Sequence, residues 1–289
     1  MRHVRRIYRA DSQHWVGDGF LVQPLFSHMG ENRGTDPFLM LDYAAPHEFS
    51  PNRRSRRGVG QHPHKGFETV TIAYHGEVAH RDSTGGGGVI KEGDVQWMTA
   101  GAGIIHEEFH SEAFSEQGGL FEMVQLWVNL PAKDKNTPAR YQHLAKENIP
   151  VIRLPDNAGH LRLIAGEHNG TKGAAETFTE MNVWDIVVNK GSEAIIDIPA
   201  SHNLYMVVLR GQAVFNGKDR AGAGQLVGFE NGGGSITVKA DGEEVKILLL
   251  SGVPINEPVV GYGPFVMNTE AEIHQAVRDF QSGRFGHIG

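Results

Sequence analysis

The chain has 289 residues, no cysteine and a formal net charge of −7 at pH 7. This length suits two domains of about 140 residues each. The negative charge argues against direct nucleic-acid binding by the molecule as a whole. The lack of cysteine excludes disulfides and thiolate metal sites and fits a reducing cytosol, so a cytoplasmic location is expected. No apolar run approaches the ~18 residues of a membrane span, so no membrane partner is expected.

Short β-type runs make up most of the chain, beginning with examples such as Glu68–Ala73 and Phe121–Val128 and continuing to Tyr205–Leu209 and Lys246–Leu250. Glycine and aspartate punctuate these runs, and the chain contains 37 glycines. Many short strands with frequent turns are typical of a β-sandwich or a jelly-roll barrel. The sequence therefore predicts an all-β protein.

The two halves share one weak repeat, in which a strand, a glycine turn, a second strand and a glycine-rich loop follow each other around Gly76–His80 and again around Gly211–Phe215. Such self-similarity favours two β-barrels over one large sheet. We place an N-terminal domain at residues 1–140 and a C-terminal domain at 141–289. The segment 268–280 has apolar residues at helical spacing after a capping Asn or Thr, which predicts a short C-terminal helix in the second domain.

Two pairs of metal-ligating residues stand out in the first half. His62 and His64 are separated by one residue, as are His106 and Glu108. In an extended segment, residues i and i+2 point to the same side. If the two segments are neighbours, three imidazoles and one carboxylate converge, and this donor set suits one divalent transition metal ion with exchangeable positions. The C-terminal domain has no comparable pairs and is expected to bind no metal.

Longer motifs surround these pairs and resemble a known family. His62-x-His64-x3-Glu68 is similar to the first motif of the cupin superfamily. The segment 61–70, QHPHKGFETV, and the segment 94–108, DVQWMTAGAGIIHEE, resemble the signatures of one cupin branch, the pirins. The segments 126–130, LWVNL, and 263–269, GPFVMNT, match further pirin stretches, so the resemblance extends over nearly the whole chain.

The resemblance to pirins implies two cupin jelly-roll barrels packed together and metal ligands at His62, His64, His106 and Glu108. It implies iron as the metal, with nickel, copper, manganese and zinc as alternatives. Glu68, a ligand in other cupins, is interpreted as a residue that orients a ligand imidazole. His80 is interpreted as a strand or rim histidine.

Two functions follow from the resemblance. The first is a quercetinase-like dioxygenase that opens flavonols with O2, in which Glu108 is the catalytic base and the partner is a small aromatic substrate. Trp97 and Met98 are expected in the core or along the substrate pocket. The alternative is a non-enzymatic, metal- or redox-sensing regulator that binds a transcription factor or a metabolic enzyme. The basic segment Arg53–Arg57 would be its contact surface. Taken by itself, this segment is interpreted as a solvated loop, with a phosphate-binding or nucleic-acid-binding patch as the alternative.

Overall fold

The structure, a computed structural model, describes residues 1–30 and 34–289. Two α-helices lie in this part of the chain, α1 (Glu112–Gln117) and α2 (Glu270–Gln281). The first twelve strands are β1 (Val4–Arg9), β2 (His14–Val16), β3 (Phe20–Ser27), β4 (Phe38–Phe49), β5 (Gly58–His64), β6 (Phe67–His75), β7 (Val78–Asp82), β8 (Gly87–Ile90), β9 (Val95–Thr99), β10 (Ile104–His110), β11 (Gly119–Asn129) and β12 (Arg140–Leu144). The remaining strands are β13 (Val151–Arg153), β14 (Gly159–Ala165), β15 (Glu167–His168), β16 (Thr171–Lys172), β17 (Met181–Val188), β18 (Glu193–Ile198), β19 (Asn203–Arg210), β20 (Gln212–Phe215), β21 (Asp219–Gly222), β22 (Gln225–Phe229), β23 (Gly234–Ala240), β24 (Val245–Gly252), β25 (Val260–Tyr262) and β26 (Phe265–Met267).

The strands form two seven-stranded sheets and two four-stranded sheets, besides two small hairpins. One pair of sheets has the orders β12-β9-β6-β11-β4-β3-β2 and β5-β10-β7-β8. The other pair has the orders β1-β22-β19-β24-β17-β14-β13 and β18-β23-β20-β21. The two sets correspond strand for strand, which confirms the all-β fold with two barrels of one plan.

The chain divides into two compact units that interleave along the sequence. The first, here called the N-terminal barrel, comprises Ser12–Lys146 and Ile255–Gly289. The second, the C-terminal barrel, comprises Met1–Asp11 and Glu147–Pro254. This grouping differs from the contiguous cut at 140/141 that the sequence predicts. The physical reason is strand pairing: β12 closes the N-terminal barrel beside β9, and β1 takes the same place beside β22 in the C-terminal barrel.

The C-terminal helix forms where the sequence predicts it. Thr269 caps α2 by accepting a hydrogen bond from the backbone N–H of Glu272 at 3.2 Å, which satisfies one of the free donors of a helix start. Its buried residues Ile273 and Ala276 belong to an apolar cluster with Phe265 and residues 267 and 285. The helix therefore belongs to the N-terminal barrel, although the sequence assigns it to the second domain.

The C-terminal barrel is filled by a continuous aliphatic and aromatic core that includes Trp184, Phe215 and Phe229. The interior of the N-terminal barrel is different, because many of its buried residues are polar, among them Thr69, Thr71 and Gln96, all 0% exposed. Neither helix in the described part of the chain has the length and apolarity needed to cross a membrane.

Candidate metal centre

The two predicted ligand pairs lie on neighbouring strands. β5 and β10 pair antiparallel, with His106 opposite His62 and Ile104 opposite His64. The register then shifts between His106 and Glu108, so that Glu108 lies opposite Val59. A local irregularity of this kind bends a strand and re-aims its side chains. The condition for the two pairs to converge, that their strands are neighbours, is therefore met.

The three imidazoles form a compact cluster. The ring centroids of His62 and His106 are 4.2 Å apart, those of His64 and His106 4.8 Å, and those of His62 and His64 4.9 Å. One ring nitrogen of each histidine lies within 4.8 Å of one nitrogen of each of the others. His64 and His106 are buried, with exposures of 5% and 0%. Three nitrogen donors at this separation can bind one common ion.

Each of the three rings has a nitrogen that is not hydrogen-bonded to any described residue. The Nδ1 atom of His62 lies 2.8 Å from the Gly60 carbonyl oxygen. Because a carbonyl only accepts, Nδ1 carries the proton and Nε2 keeps its lone pair. The Nδ1 atom of His106 is 3.0 Å from Nε2 of His80, while Nε2 of His106 is buried and has no partner among the described residues. The same is true of Nδ1 of His64.

Burial keeps the cluster neutral. It lowers the pKa of His62, and it lowers the pKa values of His64 and His106 well below their usual range, with the neighbouring histidines contributing in the same direction. A neutral imidazole is the form that binds a metal. Buried, neutral rings with unpartnered nitrogens are therefore a donor set that fits a transition metal.

Glu108 stands next to this cluster but is not a member of the close group of three histidines. Glu108 is 8% exposed, and its carboxyl accepts a hydrogen bond from the Thr71 hydroxyl at 3.2 Å. Burial raises the pKa of Glu108 to about 7, and the bond from Thr71 acts weakly in the opposite direction. The structure thus brings three of the four predicted ligands, the histidines, close together. The fourth, Glu108, is hydrogen-bonded to Thr71 instead.

His80 orients the cluster, a role that the sequence analysis missed. It is 2% exposed, and burial lowers its pKa to about 4. Its partner, His106, is a predicted ligand, so the bond between them fixes the orientation of that ring. Mutation of a residue that hydrogen-bonds a metal ligand typically weakens metal affinity by about 10- to 100-fold. No sequence motif marks His80; the strand pairing in the structure is what places it opposite Glu108.

The interpretation of Glu68 as an orienting residue is wrong. Glu68 is 0% exposed, and its carboxyl accepts a hydrogen bond from the Thr99 hydroxyl at 2.7 Å. Side chains alternate across a strand, so Glu68 points to the opposite face of β6 from Thr69 and Thr71. Burial raises the pKa of Glu68 to about 7. Glu68 is therefore buried on the face of the sheet that points away from the histidine cluster.

Trp97 also lies on that far face, since it pairs with Val70 on β6. The aromatic wall of the cluster comes instead from Phe67 and Trp127, whose rings lie 5.2 Å and 5.3 Å from the ring of His64. Met98 alternates with Trp97 along β9 and packs with Ala100 and Ile104.

The basic segment Arg53–Arg57 lies in the loop between β4 and β5. The guanidinium of Arg56 sits 4.8 Å from the ring centre of Phe109, and that of Arg57 sits 5.4 Å from the ring centre of Phe49. Arg56 and Arg57 therefore anchor the loop to the barrel through cation–π contacts.

The C-terminal barrel has apolar residues at the corresponding positions. In both barrels the paired strands begin from equivalent glycine turns, at Gly76 and Gly211, which aligns their registers. The positions of His62, His64, His106, Glu108 and His80 are taken there by Ile196, Ile198, Ile236, Val238 and Phe215. All five belong to the core of that barrel.

Comparison with known families decides where the chain belongs. Residues 19–128 match the family described as Pirin, and residues 183–286 match the Pirin C-terminal cupin domain. The chain belongs to the pirin family.

Several known proteins resemble the chain over nearly its whole length. A Pseudomonas aeruginosa protein that carries the provisional name quercetin 2,3-dioxygenase is 50% identical over 99% of both chains. A pirin-like protein of Solanum lycopersicum is 38% identical over 93% of this chain and 88% of its own. A crystal structure of quercetin 2,3-dioxygenase from Acinetobacter baumannii is 52% identical, covers 100% of both chains and superposes with a TM-score of 0.95.

Proposed function

We propose that this pirin is a metal-dependent dioxygenase that cleaves flavonols such as quercetin with O2. We expect one metal ion, iron, held by His62, His64, His106 and Glu108, with nickel, copper, manganese and zinc as alternatives. The observation that carries the proposal is the group of three neutral imidazoles, those of His64 and His106 buried, beside a carboxyl whose pKa is about 7. The names of the relatives in Pseudomonas aeruginosa and Acinetobacter baumannii support the choice of substrate.

A metal bound at this site would act as a Lewis acid that stabilises negative charge on the 3-oxygen of the flavonol. In the overall reaction both atoms of O2 enter the ring-opened product and carbon monoxide leaves.

Glu108 is the residue that would take the proton of the flavonol 3-hydroxyl. A general base works best when its pKa is near the working pH, and burial places the pKa of Glu108 at about 7. The Thr71 hydroxyl donates to Oε1 of this carboxyl. This bond holds the carboxyl in a fixed orientation beside the cluster and leaves the second oxygen, Oε2, to accept the proton.

The walls of the site favour a flat aromatic substrate. Phe67 and Trp127 lie 4.3 Å apart between ring centroids and both contact the ring of His64. Aromatic side chains stack on aromatic ligands and exclude water. Exclusion of water strengthens the electrostatic interactions of the carboxyl with the substrate.

The test is aerobic incubation of metal-replete protein with quercetin, followed by the loss of the flavonol absorbance band and the release of carbon monoxide. Glu108→Gln keeps the size of the side chain and an oxygen donor but removes its basicity. We expect it to lower turnover by about 10²- to 10⁴-fold, the usual contribution of a general base, with a much smaller loss of metal. Untouched quercetin with metal-replete wild type would refute the enzyme and leave the regulator as the remaining hypothesis.

A further inference from the structure

A row of polar side chains crosses the seven-stranded sheet of the N-terminal barrel. Thr71 pairs with Gln125 on one side and with Gln96 on the other, and Gln96 pairs with His143. The Thr71 hydroxyl lies 2.8 Å from Oε1 of Gln125 and 3.2 Å from Oε1 of Glu108. The contact with Glu108 shows that this row faces the histidine cluster.

Several polar atoms on this face have no protein partner. Both amide atoms of Gln96 are buried without a hydrogen bond to any described residue, as are the hydroxyls of Thr69 and Tyr141. The ring of Tyr141 stacks on His80 at 5.3 Å, which places it beside the cluster. Buried polar groups nearly always have partners, and unpaired ones destabilise the fold. A group of them on one inward face indicates a ligand or water that completes their hydrogen bonds.

The fold itself does not require polar residues here. Thr71 lies five residues before Gly76, and Met206 lies five residues before Gly211 on the corresponding strand. In the C-terminal barrel, Met206 pairs with Leu249 and Val227, and Val227 pairs with Ile7. The whole row is aliphatic in that barrel. The C-terminal barrel has Val227 at the position that corresponds to Gln96. The same architecture is therefore compatible with an apolar residue there.

We propose that Gln96, with Thr69 and Tyr141, forms a subsite for two adjacent hydroxyl groups on the aromatic substrate. The inference rests on the proposed function for the remainder of that substrate. A glutamine amide presents one N–H group and one carbonyl oxygen side by side. Two neighbouring ring hydroxyls present the complementary pair, because one oxygen accepts from the N–H while the other O–H donates to the carbonyl. The hydroxyls of Thr69 and Tyr141 can donate or accept as the ligand demands.

The experiment measures the binding of quercetin and galangin to the metal-loaded protein under nitrogen, by quenching of tryptophan fluorescence. Galangin lacks the two adjacent hydroxyls of quercetin and is otherwise identical. We expect wild type to bind quercetin about tenfold more tightly, since a site built to pair a hydroxyl discriminates against a ligand that lacks it. Gln96→Val should reduce this preference to about twofold or less and leave the affinity for galangin unchanged.

Two further variants keep the result interpretable. Thr69→Val is nearly isosteric and should reduce the same preference if Gln96→Val fails to fold. Gln142→Val is the matched control, because Gln142 follows Tyr141 on β12 and points to the other face of the sheet; it should retain the wild-type preference.

The outcomes separate this subsite from the proposed reaction. Equal binding of the two flavonols by wild type, or a preference that survives Gln96→Val and Thr69→Val, overturns the subsite. If galangin and quercetin are then still cleaved in air, the dioxygenase stands without it. Selective binding that depends on Gln96, without cleavage of either flavonol, supports the subsite and refutes the reaction. Failure to bind either flavonol overturns both.

Discussion

Replacing Glu108 with glutamine should stabilise the metal-free protein, and more so at higher pH. The pKa of Glu108 is about 7 in the fold, against an ordinary value of 4.5. A carboxyl group whose pKa is raised by folding binds its proton more tightly in the native state than in the unfolded state. Its ionisation therefore destabilises the fold as pH rises from 4.5 towards 7.

The size of this effect follows from the two pKa values. Each pH unit between them is worth about 1.4 kcal/mol, so the interval from 4.5 to about 7 corresponds to about 3.5 kcal/mol of unfolding free energy. Below pH 4.5 the carboxyl is protonated in both states and the penalty is absent. Glutamine retains an oxygen that accepts from Thr71 and never ionises, so the variant avoids the penalty at every pH.

The assay is equilibrium unfolding in urea, followed by tryptophan fluorescence, for chelator-treated protein between pH 5 and pH 8. The quantity of interest is the difference in unfolding free energy between Glu108→Gln and wild type, because the other titrating groups cancel in it. We expect this difference to grow by about 2–3 kcal/mol in favour of the variant across this range. The exposed Glu116→Gln serves as the control for the substitution itself.

A difference between Glu108→Gln and wild type that is equal at pH 5 and pH 8 would refute the reasoning. It would mean that Glu108 does not titrate in this interval, and the assignment of a base with a pKa near neutrality would fail with it. Glu68→Gln offers a second comparison, since the pKa of Glu68 is also raised to about 7 by burial. It should show the same pH trend in stability while leaving flavonol turnover unchanged, because Glu68 faces away from the cluster.

Three further predictions concern the metal and its support. Wild type should contain about one equivalent of metal per chain by elemental analysis, and the double variant His62→Ala/His64→Ala should contain none; full occupancy in that variant would contradict the site. An occupancy of two equivalents in wild type would contradict the expectation that the C-terminal barrel binds no metal. His80→Phe, which introduces the residue type found at the corresponding position of the C-terminal barrel, should fold and weaken metal affinity by about 10- to 100-fold, and a titration with unchanged affinity would show that His80 does not orient His106.

The sequence predicts the parts of the site that depend on local geometry. The i, i+2 spacing of His62 and His64 and the β-type pattern around them are enough to place two imidazoles on one side of an extended segment. The long motifs then identify the pirin family and the two-barrel fold. What remains depends on how strands far apart in the chain pair.

His80 and Glu68 show where this limit lies. Whether a strand residue faces the site depends on the alternation of its strand and on its register with the neighbouring strands, and a shift of one residue reverses the answer. Glu68 stands within the cupin motif yet points away, whereas His80 stands outside any motif and contacts His106 through pairing of β7 with β10. Similarly, no local pattern shows that β1 and β12 hold equivalent places in different barrels.

The interleaved strand order has a consequence for how the protein is made. The pairing of β1 with β22 joins segments more than two hundred residues apart, and the N-terminal barrel includes residues 255–289. Contacts between distant segments slow folding, since long loops must close before the contacts form. During synthesis, the strands around His62 and His106 would leave the ribosome long before α2 completes their barrel. A nascent chain of this kind exposes open sheet edges for many seconds, so we expect its yield in cells to depend on chaperones more strongly than that of two barrels joined end to end.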